Sequence, residues 1–252
     1  MKKQIVTIAA LAMSLNMFAQ QWPVPSQEAK PGTRWWWLGS AVTENDLKWN
    51  LRQFADHGIG AIEITPIYGV QGNEKNNIPF LSPRYMDILK YVNAECKADG
   101  IEFDMATGTG WPFGGPWVPL DESASQMLIV DTTVVGKKIK ALDLRPIEKK
   151  RKNTSLVGIY AFSEGKFLKI TTPLVEGTLT TKLPSKGTWR IIALYQKKGV
   201  MAVKRAAPGG AGLVIDHFDK QAVTNYLKHI EEAFEKTGTP YPHTFFNDSY
   251  EV

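Results

Sequence analysis

Four sets of ionisable side chains fall at or just after the ends of apolar, strand-like runs: Glu63, Asp104, the Asp216–His217 pair and the Asp248/Glu251 pair. A charge on a buried strand is costly unless it is paired or does chemistry. Taken singly, each reads equally well as a hydrogen-bonded structural residue. Taken together they point to a site. Hydrolysis of a glycosidic bond needs one carboxylic acid to protonate the leaving oxygen and a second carboxylate as base or nucleophile. An apolar wall keeps such an acid protonated near neutral pH, and Phe246 and Tyr250 are placed to supply one. The stretch Thr244 to Val252 runs from an aromatic pair into a polar cluster containing Glu251. A buried parallel strand looks like this when it delivers a reactive side chain at its carboxyl end, where α/β barrels keep their active sites.

Other chemistries find little support. Gly108-Thr109-Gly110 is followed by Trp-Pro rather than by a helix opening or a Lys-Ser/Thr pair, so it matches neither a dinucleotide fingerprint nor a phosphate loop. No Gly-x-Ser-x-Gly elbow is present, which disfavours a serine hydrolase. Cys96 is the single cysteine, so no intramolecular disulfide forms. It sits in a helical pattern and reads as a buried, inert thiol. Zinc-type Cys/His spacing is absent. Eight tryptophans in 252 residues need a reason. Stacking on sugar faces and filling a core account for them equally well.

The elements that must position these groups follow from periodicity. Arg34 to Gly39 reads as a first strand with both faces apolar, as parallel strands covered by helices require. Thr43 with Asp46 resembles a capping box, and a helical stripe follows through Leu47, Leu51 and Phe54 to His57-Gly58. Ile59 to Pro66 is a second strand. Ser82-Pro83 opens a second helix that Gly100 stops, and Ile101 to Ala106 is a third strand. Alternation of this kind predicts a parallel α/β architecture. Thr107 to Leu120 then breaks the rhythm with a Gly/Pro loop around Trp111, Phe113 and Trp117. Loops held at strand ends are where binding residues concentrate.

From Gln126 to Arg205 short β-branched runs alternate with polar turns, and Glu164-Gly165 is a hairpin signal. This predicts an antiparallel β subdomain inserted into the α/β pattern. Its Lys/Arg-rich stretch from Lys137 to Asn153 reads as a solvated hairpin or long loop rather than a nucleic-acid patch. Leu213 to Phe218 is strand-like, Lys220 to Lys236 forms an amphipathic helix, and His243 to Glu251 is a last strand. The expected fold is therefore α/β: a partial (β/α) TIM-type barrel with an inserted antiparallel β subdomain. The divisions fall at 1–20 (signal peptide), 21–125 (first βα units), 126–205 (insert) and 206–252 (a further βα unit and strand). A barrel of this type has eight strands in roughly 250 residues. About five are legible here, and an open sheet edge is a liability. The chain is expected to be the front part of a longer enzyme.

Lys2 and Lys3 followed by the apolar run Ile5–Met13 read as a secretory signal, too short for a membrane span, and imply export to the periplasm. The formal charge of +5 falls by two when these lysines leave. That balance does not suggest nucleic acid.

The series Arg34-Trp35-Trp36-Trp37 with Gly39, Glu63-Ile64, Phe80-Leu81-Ser82-Pro83, Thr107-Gly108-Thr109-Gly110-Trp111-Pro112 with Gly114-Gly115-Pro116-Trp117, Asp216-His217-Phe218 and Asp248-Ser249-Tyr250-Glu251 resembles glycoside hydrolase family 106, the α-L-rhamnosidases of secreted glycan-degrading systems. The resemblance covers about residues 30 to 252, and the joint order of the motifs is what makes it specific. It implies a catalytic (β/α) barrel with added β domains. The expected reaction is inverting removal of terminal α-L-rhamnose from oligo- or polysaccharides such as pectins, with calcium at the site. Glu251 matches the position of the family's general acid, and the general base lies further along in family members. Trp36, Glu63, Trp111, Asp216, His217 and Asp248 are the candidate sugar contacts, and no calcium ligands are assigned. Three alternatives stay open: a barrel glycosidase for another sugar, a non-catalytic carbohydrate-binding protein that stacks sugars on Trp35 to Trp37 and Trp111, and an inactive fragment.

Overall fold

The computed structural model describes residues 23–147, 150–248 and 250. The proposed signal peptide and Glu251 lie outside the described residues. In chain order the strands are β1 (Gly32–Leu38), β2 (Ala61–Ile67), β3 (Glu102–Ala106), β4 (Gly114–Gly115), β5 (Ser125–Val135), β6 (Lys138–Asp143), β7 (Thr154–Ser163), β8 (Lys166–Ile170), β9 (Thr178–Lys182), β10 (Thr188–Lys198), β11 (Leu213–Val214) and β12 (Phe245–Phe246). The helices are α1 (Glu44–Asp56), α2 (Pro83–Asp99) and α3 (Lys220–Thr237).

Local chemistry sets the helix ends. Thr43 Oγ1 accepts the Asp46 N–H at 3.3 Å, and Ser82 Oγ accepts the Tyr85 N–H at 3.3 Å with Pro83 opening the first turn. Asp219 accepts from Gln221 N at 2.8 Å and Ala222 N at 3.4 Å. Each cap satisfies amide donors that the helix itself leaves unpaired. Gly100 and Gly238 close α2 and α3 in the left-handed conformation.

The fold is mixed α/β with several sheets, and no closed barrel is present among the described residues. β1, β2, β3 and β12 form one parallel sheet in that order. The three helices cover one face, with α2 packed against both α1 and α3. Trp37, Ile62, Ile64, Phe103 and Met105 meet Leu51, Tyr85, Leu89, Tyr226 and Phe234 there in one continuous core. Burial of such side chains contributes roughly 1.5–3 kcal/mol each and dominates the stability of the unit.

The opposite sheet face departs from the sequence expectation. β1 was expected to be apolar and covered on both sides, but Trp36 is 42% exposed while Trp37 is 1% exposed. Strand side chains alternate between faces. Trp35 and Trp37 therefore turn to the helices, and Arg34 and Trp36 share the open side. This also corrects the stacking platform suggested for Trp35 to Trp37.

A second correction concerns Leu213 to Phe218, expected as a strand of the parallel sheet. Only Leu213–Val214 is extended in a ladder, and it pairs antiparallel with β4. The parallel sheet thus has four strands, not five. The reason is steric: a Cβ on Gly114 would lie 2.1 Å from the Leu213 carbonyl oxygen, so glycine admits a backbone approach that the sequence run alone does not reveal.

Residues 125–198 build the antiparallel sheet β5-β10-β7-β8 and the two-stranded ribbon β6-β9. Leu128, Ile159, Ile191 and Ala193 of the sheet share a separate core with Ile139 and Leu179 of the ribbon. Lys138–Asp143, expected as solvated hairpin or loop, is half of that ribbon. Lys138 and Lys140 are exposed while Ile139 is buried, and a register shift between Ile139 and Leu142 then interrupts the alternation.

Candidate functional site

The open face of the parallel sheet collects the polar strand residues. Register places Arg34 beside Glu63 and Glu63 beside Asp104, with Trp36 beside Thr65 one pleat further along. Arg34 Nε lies 3.1 Å from Glu63 Oε1, and its terminal nitrogen donates to Oε2 at 3.3 Å. Thr65 Oγ1 donates to Glu63 Oε1 at 2.7 Å. Two-pronged guanidinium pairing plus the hydroxyl fixes this carboxylate in one orientation. The guanidinium also lies 4.6 Å from the Phe246 ring centre and 5.5 Å from that of Trp36, within cation–π range.

The Gly/aromatic loop closes over the carboxyl ends of these strands. Trp111 meets Trp36 edge to face at 5.5 Å. Trp111 N donates to the Lys204 carbonyl at 2.9 Å and Lys204 N returns the bond at 2.7 Å. Gly110 permits this: it has φ +62°, and a Cβ there would sit 2.0 Å from that same carbonyl oxygen. Behind the loop the Tyr226 hydroxyl reaches the carbonyls of Thr107 at 3.1 Å and Gly114 at 3.3 Å. Thr107 in turn binds the Phe246 carbonyl through its amide and its hydroxyl. The resulting cleft is lined by Arg34, Glu63, Thr65, Trp111, Phe246 and Asp248, among others.

Of the residues singled out from sequence, Trp36, Glu63, Trp111 and Asp248 come together here. Asp216 and His217 do not. They line a separate recess with Ser125, Gln126 and Met201. Asp216 Oδ1 accepts the Phe218 N–H at 3.1 Å, and its Oδ2 lies 3.4 Å from Ser125 Oγ. The His217 ring is wedged between Phe113 at 4.7 Å and Tyr250 at 4.8 Å, and burial lowers its pKa below 6.5 against a smaller opposing effect of Asp216. Asp104 is occupied structurally: its carboxylate accepts the Thr244 N–H at 2.8 Å and faces His243 at 3.4 Å. Glu251 lies outside the described residues. The apolar wall expected from Phe246 and Tyr250 takes another form, since Phe246 packs under Arg34 and Tyr250 against His217.

Arg34 and Thr65 are cleft residues that sequence reasoning passed over as site members. The signal was available in the period of two: Arg34 shares a face with Trp36, and Thr65 with Glu63. Position also divides the tryptophans. Trp37 and Trp189 are core, Trp117 stacks on His229 at 4.4 Å, Trp111 lines the cleft, and Trp36 packs against Trp111. Calcium takes six to eight oxygen ligands. Among the described residues no group of three or more His, Cys, Asp or Glu could hold a metal. The calcium implied by the resemblance thus has no ligands assigned among the described residues.

A carboxylate fixed by Arg34 and Thr65, in a cleft shared with Trp111 on the open face of a parallel sheet, has the composition of a sugar-processing site, and comparison with known proteins places the chain among the glycoside hydrolases. Residues 23–152, just over half of it, match glycoside hydrolase family 106, described as alpha-L-rhamnosidase, and the chain belongs to that family. It is 25% identical over 274 aligned residues to a protein of Formosa agariphila described as "Putative beta-glucuronidase". That alignment takes in 90% of this chain and 23% of the relative. In fold it is similar to a rhamnosidase from Novosphingobium sp. PP1Y, with a TM-score of 0.53 and 14% identity over 84% of this chain and 37% of that one. The chain thus spans about a quarter of the curated relative and just over a third of the solved one. No helix among the described residues is long and apolar enough to cross a membrane.

Proposed function

We infer that the chain forms part of a secreted, periplasmic hydrolase that removes terminal α-L-rhamnose from complex plant-type glycans. The observation that carries this reading is the family match over residues 23–152, which contains Arg34, Glu63 and Trp111 of the cleft. The leader-like pattern of residues 1–20 supports export. In this reading the four parallel strands are one arc of a (β/α) barrel whose other strands come from outside these residues. The sugar packs against the exposed side of the Trp36–Trp111 pair, and Glu63 and Asp248 accept its hydroxyl hydrogens. Glu251 is the general acid, three positions after Asp248. It donates its proton to the glycosidic oxygen as the carbon–oxygen bond breaks. A carboxylate base, expected in the part of the relatives' length that this chain does not span, takes a proton from the water that attacks the opposite face, so the configuration inverts.

A second reading, hydrolysis of a uronic acid glycoside, is favoured by Arg34 at the cleft and by the name of the Formosa relative. A guanidinium suits a sugar carboxylate. One experiment separates the two. The full-length gene product is assayed on aryl α-L-rhamnoside and aryl β-glucuronide, with the anomer of the first-formed product followed by NMR. The rhamnoside is expected to be cleaved to the β-anomer, with Glu251→Gln at least a hundred-fold slower, the low end of general acid catalysis at about 10²–10⁴. Cleavage of the glucuronide alone sinks the rhamnosidase reading, and a Glu251→Gln rate within a few-fold of wild type sinks the acid assignment.

A further inference from the structure

We propose that the recess holding Asp216 and His217 is a second saccharide subsite, which takes the part of a glycan on the leaving-group side of the bond to be cut. This rests on the glycan-hydrolase reading above. The recess lies at the seam where the antiparallel insert meets the parallel-sheet unit, and it has a volume of about 490 Å³. Small-molecule sites span roughly 300–1,000 Å³.

Three features of the recess suit a sugar. Phe218 stands at its lip and is 82% exposed. It is held there by a tight turn: its own N–H is bound to Asp216 Oδ1, and Asp219 N donates to the Asp216 carbonyl at 3.1 Å before Asp219 caps α3. A rigidly presented, solvent-facing ring offers the flat apolar surface on which a pyranose C–H face stacks. Beside it a polar chain crosses the seam, from Gln196 Nε2 to Ser125 Oγ at 3.1 Å and from Ser125 Oγ to Asp216 Oδ2 at 3.4 Å. A carboxylate has about four acceptor positions, and this one retains capacity for sugar hydroxyls. Finally, both ring nitrogens of His217 are buried without a hydrogen-bond partner among the described residues. Buried polar atoms are nearly always paired. A neutral imidazole, which burial favours here, has one donor and one acceptor, and because both nitrogens are sealed from solvent the ring must turn toward the recess to present them to a hydroxyl or a bridging water.

The two sites are close neighbours. Phe113 lines the Glu63 cleft, His217 lines the recess, and the two rings touch at 4.7 Å. One aromatic pair forms the wall between the compartments. The insert then helps to select the glycan, through Ser125 and Gln126.

The test is calorimetric titration of the full chain with L-rhamnose and with short rhamnose-terminated oligosaccharides cut from pectin. Phe218→Ala is expected to weaken oligosaccharide binding about ten-fold and leave rhamnose binding unchanged. Gln126→Ala, at a second exposed position, is expected to act in the same direction. Trp111→Ala is expected to weaken both ligands. If Trp111→Ala acts but Phe218→Ala and Gln126→Ala leave the oligosaccharide untouched, the subsite is overturned and the cleft stands. If Phe218→Ala acts and Trp111→Ala does nothing, the recess stands and the cleft reading falls. Equal loss of both ligands in Phe218→Ala, or no saccharide binding by the wild type, overturns the subsite.

Discussion

The loop that carries Trp111 and Phe113 is tied down by one buried phenol, and a double substitution tests that tie. A Cβ on Gly108 would meet Tyr226 Oη at 2.5 Å. The next atoms are Phe113 Cβ at 3.3 Å and the Gly114 carbonyl oxygen at 3.8 Å, so no other atom of Tyr226 comes closer than that. Gly108→Ala must push the hydroxyl away from the two carbonyls it serves, an overpacking that costs about 1–3 kcal/mol. Tyr226→Phe removes the hydroxyl and leaves both carbonyls, at 3.1 and 3.3 Å, without their donor. The phenol has a single proton to give, so the loss is about 1–2 kcal/mol. Independent effects would sum to roughly 2–5 kcal/mol. Here the second change removes the atom that the first collides with, and the loops it tied are already released. The double variant is expected to be no less stable than Tyr226→Phe alone, a coupling of about 1–3 kcal/mol. Urea unfolding followed by circular dichroism measures all four proteins, with unchanged slopes required for the comparison. Losses that add to within about 0.5 kcal/mol would refute the placement of Tyr226 Oη against Gly108.

Two further outcomes follow from burial. The imidazoles of His217 and His229 are held below their ordinary pKa of 6.5 chiefly by desolvation. The unfolded chain therefore takes up protons near pH 6.5 that the folded chain binds only at lower pH, so their contribution to stability is present above 6.5 and is lost as pH falls through the folded values. NMR titration of the ring protons should give midpoints below 6.5 for both, and a midpoint at or above 6.5 contradicts the placement. The Cys96 thiol is pushed up to about 12, by burial first and by Asp99 and Glu95 after it. It should resist a disulfide reagent at pH 8 in the folded protein and react fully in urea, whereas rapid reaction without denaturant would show that α2 does not bury it.

Local sequence determined the elements of the parallel-sheet unit. Thr43 and Ser82 announce helix starts, Gly100 announces a stop, and the stripes have the helical period, because capping and amphipathicity act over a few residues. The buried state of Cys96 was legible from its place in the α2 stripe. Other features depended on partners far away in sequence. Leu213–Phe218 has the composition of a core strand, yet its ladder is decided by Gly114, about a hundred residues earlier, whose missing side chain admits the Leu213 backbone. Trp35, Trp36 and Trp37 are one residue type in a row, and only the side on which α1 and α2 pack makes Trp37 core and leaves Trp36 on the open face against Trp111. Arg34 and Glu63 become a pair through the β1–β2 register, which is fixed by burial of the shared face and not by either residue. The polar strand-end residues were visible as a group, but their division into a Glu63 cleft and an Asp216–His217 recess was not. It is made by Phe113, carried by the loop and set against His217 by the tertiary fold. Periodicity is a property of neighbours along the chain, while the grouping of side chains into sites is a property of which faces meet.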